Sequence, residues 1–426
     1  MLSDEQSKIC EHILTWLSDF RKENVGFTKL NEVKINEIKN DYYVTVGGYA
    51  GTGKTYMISV FRKILTEVYG WNYNVAFCTL TGKASSVLQN KLRDSKIEVL
   101  NDYVGTIHGL MYRPVYEKNS KGEKVLIGFE KYDQIEDFDL IIIDEASMVN
   151  KNIWEDIIQY KIPIIAIGDH GQLPPVGDSY NLMTNPNFTL TEIHRQALES
   201  PIIRLSIEIR NGKYIPLGFF GSSDVFKLDW KDPRCQRVFS NIEWNNKVTA
   251  ICSTNETRCR INQHVRDLNE FKLPEPYPGE RLVCLLNNHS SKIYNGQTGT
   301  VLWIMPYQKD FSKLSISVDG FEDDIVYETL MHQCCLGKMK YDGMWDNVFQ
   351  GKDNYKRNKI LMKKSKIRNI DVFDFGYALT AHKSQGSEWD KVVFFEENVF
   401  DFQTRQRLIY TAITRAREKL FIIAGY

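Results

Sequence analysis

At 426 residues, 42% of them hydrophobic and 25% charged, the chain is too long for one ordinary core and is expected to fold as two or more globular domains. No apolar run reaches the length of a membrane span, and the start MLSDEQSKIC lacks the basic-then-apolar order of a signal peptide, so a cytoplasmic protein with no membrane association is expected. The 54 basic and 54 acidic residues cancel, which neither supports nor excludes a nucleic-acid partner, because a groove needs only a local excess of positive charge.

The first segment, LSDEQSKI, admits two readings. Ser3 and Gln6 have the spacing of a capping box, and the Gln6 amide also offers the donor–acceptor pair that an adenine edge matches. The residues alone leave both open. Next, DYYVTVGGYAGTGKTYMISVFRKIL (41–65) reads as a strand, a glycine turn and a helix. Its core GYAGTGKT (Gly48, Ala50, Gly51, Thr52, Gly53, Lys54 and Thr55, followed by Tyr56) fits the phosphate-binding loop pattern. Glycines let N–H groups curl around a β-phosphate, the helix N-terminus adds its positive end, Lys54 reaches the β- and γ-phosphates, and the Thr55 hydroxyl ligates Mg²⁺. The flanking strand and helix argue against a plain glycine turn, so ATP and Mg²⁺ are the expected cofactors.

NVAFCTLTGKAS (74–85) is a strand running into Thr79, Thr81 and Lys83, and GTIHGL (105–110) supplies Thr106 and His108. The stretch 111–131 reads as an inserted hairpin, two short strands around Asn119–Gly122, carrying Tyr112, Tyr116 and Phe129. DFDLIIIDEASM (137–148) holds four consecutive apolar residues, as a strand buried on both faces requires. It ends in Asp144, placed for Mg²⁺, and Glu145, placed to orient or deprotonate water. IPIIAIGDHGQLPPV (162–176) ends a buried strand in Asp169 and Gln172, braced by Pro174 and Pro175. LTEIHRQ (190–196) contributes Arg195, and STNETRCRIN (253–262) contributes Thr254 and Asn255. NGQTGTVLWI, KLSISVDG and DDIVYETL look like strands, with Leu314, Ile316 and Val318 alternating. Residues 352–368 hold eight Lys/Arg against Asp353, which by itself reads as a solvated helix face. YALTAHKSQGSEWD (377–390) brings Thr380, His382, Lys383, Gly386 and Glu388, and LIYTAITRAREKL (408–420) brings Arg415. The eight cysteines form no CxxC pair and read as reduced thiols without a metal cluster.

Taken together and in this order, the segments from Gln6 to Arg417 resemble a superfamily 1 DNA helicase of the 5′–3′ branch, Dda-like and RecD-like in wording. The resemblance implies an α/β fold of two RecA-like parallel-sheet P-loop domains. It implies as well a β-hairpin inserted in the first and an SH3-like β-barrel in the second. The first domain is expected over 1–185, the second over 186–295 and 371–426, and the barrel with the basic stretch over 296–370. It further implies ATP clamped between the domains, with Gln6 on adenine, Gln172 on the γ-phosphate, Arg195 and Arg415 reaching that phosphate from the second domain, and Gly386 and Glu388 near ribose and phosphate. Single-stranded DNA would meet Thr79, Thr81, Lys83, Thr106, His108, Thr254, Asn255, Thr380, His382 and Lys383; for the two histidines a hydrogen-bonded structural role fits as well. A monomer acting on single-stranded and forked DNA, in replication, repair or recombination and beside proteins of those processes, is expected, in the host cytoplasm were the chain phage-encoded. Polarity rests on the QLPPV wording and this resemblance. An ATPase that remodels protein on DNA and a DNA-binding module with a dead nucleotide site are the competing readings; the presence of Lys54, Thr55, Asp144, Glu145, Gln172, Arg195 and Arg415 together disfavours the second.

Overall fold

The structure, a computed structural model, describes all residues except 1, 25–41, 96–100, 119–123, 136, 176–179, 289–292, 320–324, 342–343, 345, 350–351, 368 and 399. It divides into two compact units: Met1–Leu80 with Ala84–Leu198, and Thr81–Lys83 with Glu199–Tyr426.

The first unit is built on a six-stranded sheet in the order Tyr103–Thr106, Val75–Thr79, Leu140–Ile143, Ile164–Gly168, Tyr43–Gly48, Phe188–Leu190. Every pairing in it is parallel. Its central strands are near-continuous Val, Ile, Ala and Phe because helices cover both faces. Ile165, Ile167, Val44 and Val46 face a core shared with Ile13 and Leu17 of the helix Asp4–Asn24 and with Met57, Phe61 and Leu65 of the helix Lys54–Tyr69. On the other face Ile164, Ala166, Ile141 and Ile143 pack with Ile107, Met111, Trp154 and Ile157. Parallel strands share one C-terminal edge, so Gly48, Thr79, Thr106, Asp144 and Asp169 all arrive on the same side of the sheet.

The hairpin forms as expected, Tyr112–Lys118 pairing antiparallel with Lys124–Lys131 around a bulge at Val115/Tyr116. One expected boundary is corrected. Phe188–Leu190 is not the start of the second unit but a sixth strand of the first, paired with Val46–Gly48, and the division falls at Leu198/Glu199.

The second unit carries a sheet in the order Ala378–Thr380, Val248–Cys252, Trp389–Glu396, Ala416–Ala424, Ser222–Asp229, Gly218–Phe220. It is parallel except for the antiparallel last pair. The predicted barrel is present and closed, and larger than its expected span of 296–370. Thr298–Gln308, Phe311–Val318 and Ile325–His332 are completed by Arg281–Cys284 before them and Ile370–Phe375 after them. Closure comes from the pairing of Leu282–Cys284 with Phe373–Phe375. The barrel interior and the sheet share one apolar core, with Leu282, Leu314, Ile316 and Phe373 joined to Ala250, Val393 and Phe395.

Candidate nucleotide and nucleic-acid sites

The loop between the strand Tyr43–Gly48 and the helix Lys54–Tyr69 takes the shape its glycines permit. Gly51 and Gly53 sit at φ 84° and 74°, in the left-handed region. A side chain at Gly53 would also collide, since a Cβ there would lie 2.6 Å from His194 Nε2 and 2.7 Å from Gln6 Nε2. Half-buried Lys54 folds back over the loop, its ammonium donating to the carbonyls of Gly48 (2.7 Å) and Tyr49 (3.0 Å), with Asp169 Oδ2 at 3.9 Å. The Thr52 hydroxyl donates to the Tyr49 carbonyl at 2.9 Å, which tightens the same turn. Tyr56 is exposed at the start of the helix, while Ala50 and Thr55 are half-buried.

Gln6 fulfils the capping-box reading and does more. Its backbone N–H donates to Ser3 Oγ (3.3 Å), and its Oε1 accepts from the Ser3 N–H (3.0 Å). Its Nε2 donates to the Thr52 carbonyl (3.0 Å) and stands 3.3 Å from His194 Nε2. With Gln6 only 1% exposed, the residue is a strut between the first helix and the phosphate loop. A second strut escaped the sequence reading. Glu5 accepts from the N–H groups of Thr191 and Glu192 and from the Thr191 hydroxyl (2.7–3.1 Å), so the segment carrying His194 is tied to the same helix end. Burial works against the Glu5 charge, yet these hydrogen bonds hold its carboxyl below the usual range.

At the end of the strand Leu140–Ile143, on the same sheet edge as the loop, Asp144 is buried, and its Oδ1 accepts from the Glu145 N–H at 2.9 Å. Glu145 adopts φ 54°, ψ 38°, a strained conformation for a non-glycine residue that swings the chain sharply at the strand end. Asp169 is fully buried; its Oδ1 accepts from the Gly171 N–H (2.9 Å) and its Oδ2 lies 3.5 Å from Gln172 Nε2. Gln172 is 2% exposed, and its Oε1 is buried without a hydrogen-bond partner among the described residues. A hydroxyl (Thr55) and a carboxylate (Asp144) at a phosphate loop form the hard-oxygen donor set that suits Mg²⁺, which commonly takes one or two protein oxygens plus substrate phosphates. The residues present therefore fit that ion. Asp169, whose role the sequence reading left undefined, is the carboxylate that faces Lys54.

One of the two arginines differs from expectation. Arg195 begins the helix Arg195–Glu199 in the first unit rather than the second, and its side chain lies outside the described residues. Arg415 is 4% exposed and donates to the carbonyls of Thr411 (3.1 Å) and Ser387 (3.3 Å), so its guanidinium is seated against the KSQGSE segment. In that segment Gly386 is buried at φ 71°, and exposed Glu388 accepts from Arg417 Nε at 3.2 Å.

Among the expected DNA contacts, Thr79 is corrected. It is 1% exposed, with its hydroxyl 2.7 Å from that of Ser85, so it braces the turn from inside. Thr106 caps the helix Ile107–Met111 by accepting from the Gly109 N–H, which leaves the next-but-one residue, His108, exposed and stacked on Tyr112. Thr81 and Lys83 fall in the second unit. Thr254 is likewise a cap, accepting from the Thr257 N–H. Its hydroxyl also lies 2.9 Å from Glu397 Oε1, an acid the sequence reading missed. Glu397 accepts in addition from the Ser253 N–H (2.5 Å) and the Thr257 hydroxyl (2.6 Å), fixing the loop; Asn255 stays exposed at its tip.

Thr380 is buried at the N-terminus of Ala381–Ser384, followed by half-buried His382 and Lys383. Burial lowers the His382 pKa. Lys383 is pushed down to about 8, chiefly by burial and next by the Arg258 charge, with Asp374 and Cys335 opposing. Its ammonium lies over the Tyr341 ring at 4.8 Å. The Tyr341 hydroxyl donates to Asp374, which also takes the Arg258 guanidinium and the Gly337 N–H. Asp374 on the last barrel strand thus joins the STNETR helix to the surroundings of Lys383. Of the hairpin aromatics, Tyr112 donates to Asp156 at 2.7 Å and is fixed at the base, while the side chains of Tyr116 and Phe129 lie outside the described residues.

Residues 35–224 match the AAA domain family and residues 375–423 the UvrD-like helicase C-terminal domain. Over 94% of its length the chain is 24% identical to the ATP-dependent RecD2 DNA helicase of Deinococcus radiodurans, of which it spans about half (49%). It is 29% identical to the ATP-dependent DNA helicase dda of Enterobacteria phage T4, over 90% of this chain and 94% of that one. A Pif1 helicase from Bacteroides, solved with ADP-AlF3 and ssDNA, shares the fold with a TM-score of 0.51 at 18% identity, covering all of this chain and 92% of that one.

Proposed function

The chain belongs to the superfamily 1 helicases of the RecD/Pif1/Dda branch, and from that premise we propose that it is an ATP-dependent DNA helicase that moves 5′–3′ on single-stranded DNA and separates duplex strands. The observation that supports the reading is the first unit's sheet edge, where the glycine-rich loop with Lys54, the strand end with Asp144 and Glu145, and the strand end with Asp169 and Gln172 lie on one side of a parallel sheet, Asp169 facing Lys54 at 3.9 Å.

The reaction is hydrolysis of ATP to ADP and phosphate. The loop N–H groups and the Lys54 ammonium hold the phosphates, and Lys54 must leave its carbonyl partners to do so. Thr55 and Asp144 would hold Mg²⁺, which supplies charge neutralisation at the phosphates when bound. Glu145, on its strained turn, orients the attacking water and accepts its proton. Gln172 has an unused buried Oε1, and reaching toward the γ-phosphate end is the role its position supports. Arg415 and Arg195 are the candidates for stabilising the transition-state charge, since guanidinium groups suit a spread, multi-oxygen anion. On DNA, exposed His108 and Asn255 and the cationic Lys383 serve as backbone and stacking contacts, which need no sequence reading.

Phosphate release with and without single-stranded DNA tests the ATPase reading, and duplexes carrying a 5′ or a 3′ tail test the rest. Stimulated hydrolysis with opening of the 5′-tailed duplex is expected. Stimulation without opening of either would favour a remodelling ATPase, and preference for the 3′ tail would overturn the polarity.

A further inference from the structure

The helix Lys352–Ser365 is divided sharply into two faces. At 100° per residue, Asn358, Leu361 and Ser365 fall on one side, and all three are buried. Leu361 packs with Phe311 and Leu330 of the barrel and with Ile367, with Met362 at the edge of that cluster. The Ser365 carbonyl accepts from the Lys313 ammonium (3.4 Å), and Asn358 Nδ2 donates to the Val348 carbonyl (2.7 Å). The helix is therefore seated on the barrel through Leu361 and the Ser365 carbonyl, and on the short helix Asp346–Phe349 through Asn358.

Lys356, half-buried Lys359 and Lys363 fall on the opposite side within an arc of roughly 60°, with Asp353 one turn before Lys356, and Lys356 and Lys363 are about 10 Å apart along the axis. Lys356, Lys363, Lys364 and Lys366 are exposed. No acidic residue occurs between 354 and 370, and Lys363, Lys364 and Lys366 enter no ion pair among the described residues. In a chain whose charges cancel overall, this is a segregated cationic ridge rather than an ordinary mixed surface.

We propose that this ridge grips the phosphate backbone of duplex DNA, holding the unopened arm of the substrate; the inference rests on the helicase reading above. Charge complementarity selects a polyanion. Among the described residues of the helix, the exposed positions are Lys356, Arg357, Ile360, Lys363 and Lys364, and its one ring, Tyr355, is half-buried, so the ridge presents no exposed ring for unpaired bases to stack on, whereas grooves for single strands depend on such rings. Ammonium groups along a helix suit the dense, regular charge of a duplex, one per about 1.7 Å of its axis.

The test is equilibrium binding of a blunt duplex and of a single strand, without nucleotide and across a salt series, for the parent and for K356Q/K363Q/K364Q. The variant should bind duplex more weakly, with the slope of log K against log salt shallower by about 2–3. Its affinity for the single strand and its single-strand-stimulated phosphate release should match the parent. A K356R/K363R/K364R variant should retain duplex affinity, which separates loss of charge from loss of fold. Equal weakening toward both DNAs would place the ridge on the single-strand track and overturn the proposal, as would unchanged duplex binding. Absence of stimulated phosphate release in the parent would instead strike the helicase reading, which the nucleotide-free binding arm does not use.

Discussion

The side-chain amide of Gln6 donates to the carbonyl oxygen of Thr52 at 3.0 Å, so a residue 46 positions upstream is part of the phosphate loop's wall. The same side chain is the candidate reader of the adenine edge, and base selectivity separates the two roles. Gln6→Ala should reduce kcat/KM for ATP and for a triphosphate with another base alike, by the several-fold expected from losing a buried hydrogen bond of about 1 kcal/mol. Any loss in excess of that, confined to ATP, measures adenine contact. Equal losses would remove the adenine role, and an intact rate with the other base would remove the strut.

Lys54→Ala should lower DNA-stimulated phosphate release by at least the order of 10²–10³ typical of losing one transition-state charge contact. The fold should survive, because among the described residues the half-buried side chain bonds only carbonyls of its own loop and faces Asp169 at 3.9 Å. Thermal unfolding and single-strand affinity should stay near parent values. Parent-like turnover in this variant would sink the assignment of the site.

How much of this was legible beforehand follows from how local each signal is. The phosphate loop was readable because its backbone demands glycine at Gly51 and Gly53, and demands of that kind are written into neighbouring residues. The buried strands of the first sheet were readable from apolar runs such as LIII, Leu140–Ile143. The barrel's outer limits were not: RLVC, Arg281–Cys284, is a short strand with three apolar residues that fits a parallel sheet equally well, and its pairing about 90 residues away with Phe373–Phe375 makes it a barrel strand. Thr79 and Thr254 looked like polar strand-end contacts, yet their hydroxyls are committed to Ser85 and Glu397. Glu397 lies more than 140 residues from the loop it fixes, so no local pattern exposes it.

Lys383 yields a pH prediction. With its pKa near 8, it is about nine-tenths charged at pH 7 and about one-tenth at pH 9. If its charge meets a phosphate, single-strand affinity should fall as pH rises through 8, by up to about tenfold per unit. Stability runs the other way. The unfolded chain binds more protons between about 8 and the ordinary lysine value near 10.4, so this group makes folding more favourable with rising pH across that window. Lys383→Arg, which stays protonated, should flatten the binding profile measured by fluorescence anisotropy. A profile unchanged by that substitution would take Lys383 off the DNA.

The hairpin Tyr112–Lys131 is the candidate wedge between strands. Travel along one strand opens a duplex only where something excludes the other, and this insertion leaves the sheet directly after exposed His108. Its base is pinned independently of its tip: Tyr112 and Lys131 both bond Asp156, at 2.7 and 2.8 Å, and Lys131 also reaches Gln159. The Asp156 bond raises the Tyr112 pKa to about 12, while Lys131 and Tyr112 lower that of Asp156. Replacing residues 114–128 by a short glycine-serine link keeps Tyr112, Lys131 and Asp156, so the nucleotide site and sheet should be undisturbed. Single-strand-stimulated phosphate release should therefore remain within about twofold of the parent, since surface changes away from packed features cost little. Unwinding of a 5′-tailed duplex should fall far more, because Tyr116, worth roughly 1–3 kcal/mol if it stacks on the terminal base pair, is removed with the tip. Equal unwinding rates for the shortened and parent proteins would show that strand separation lies elsewhere.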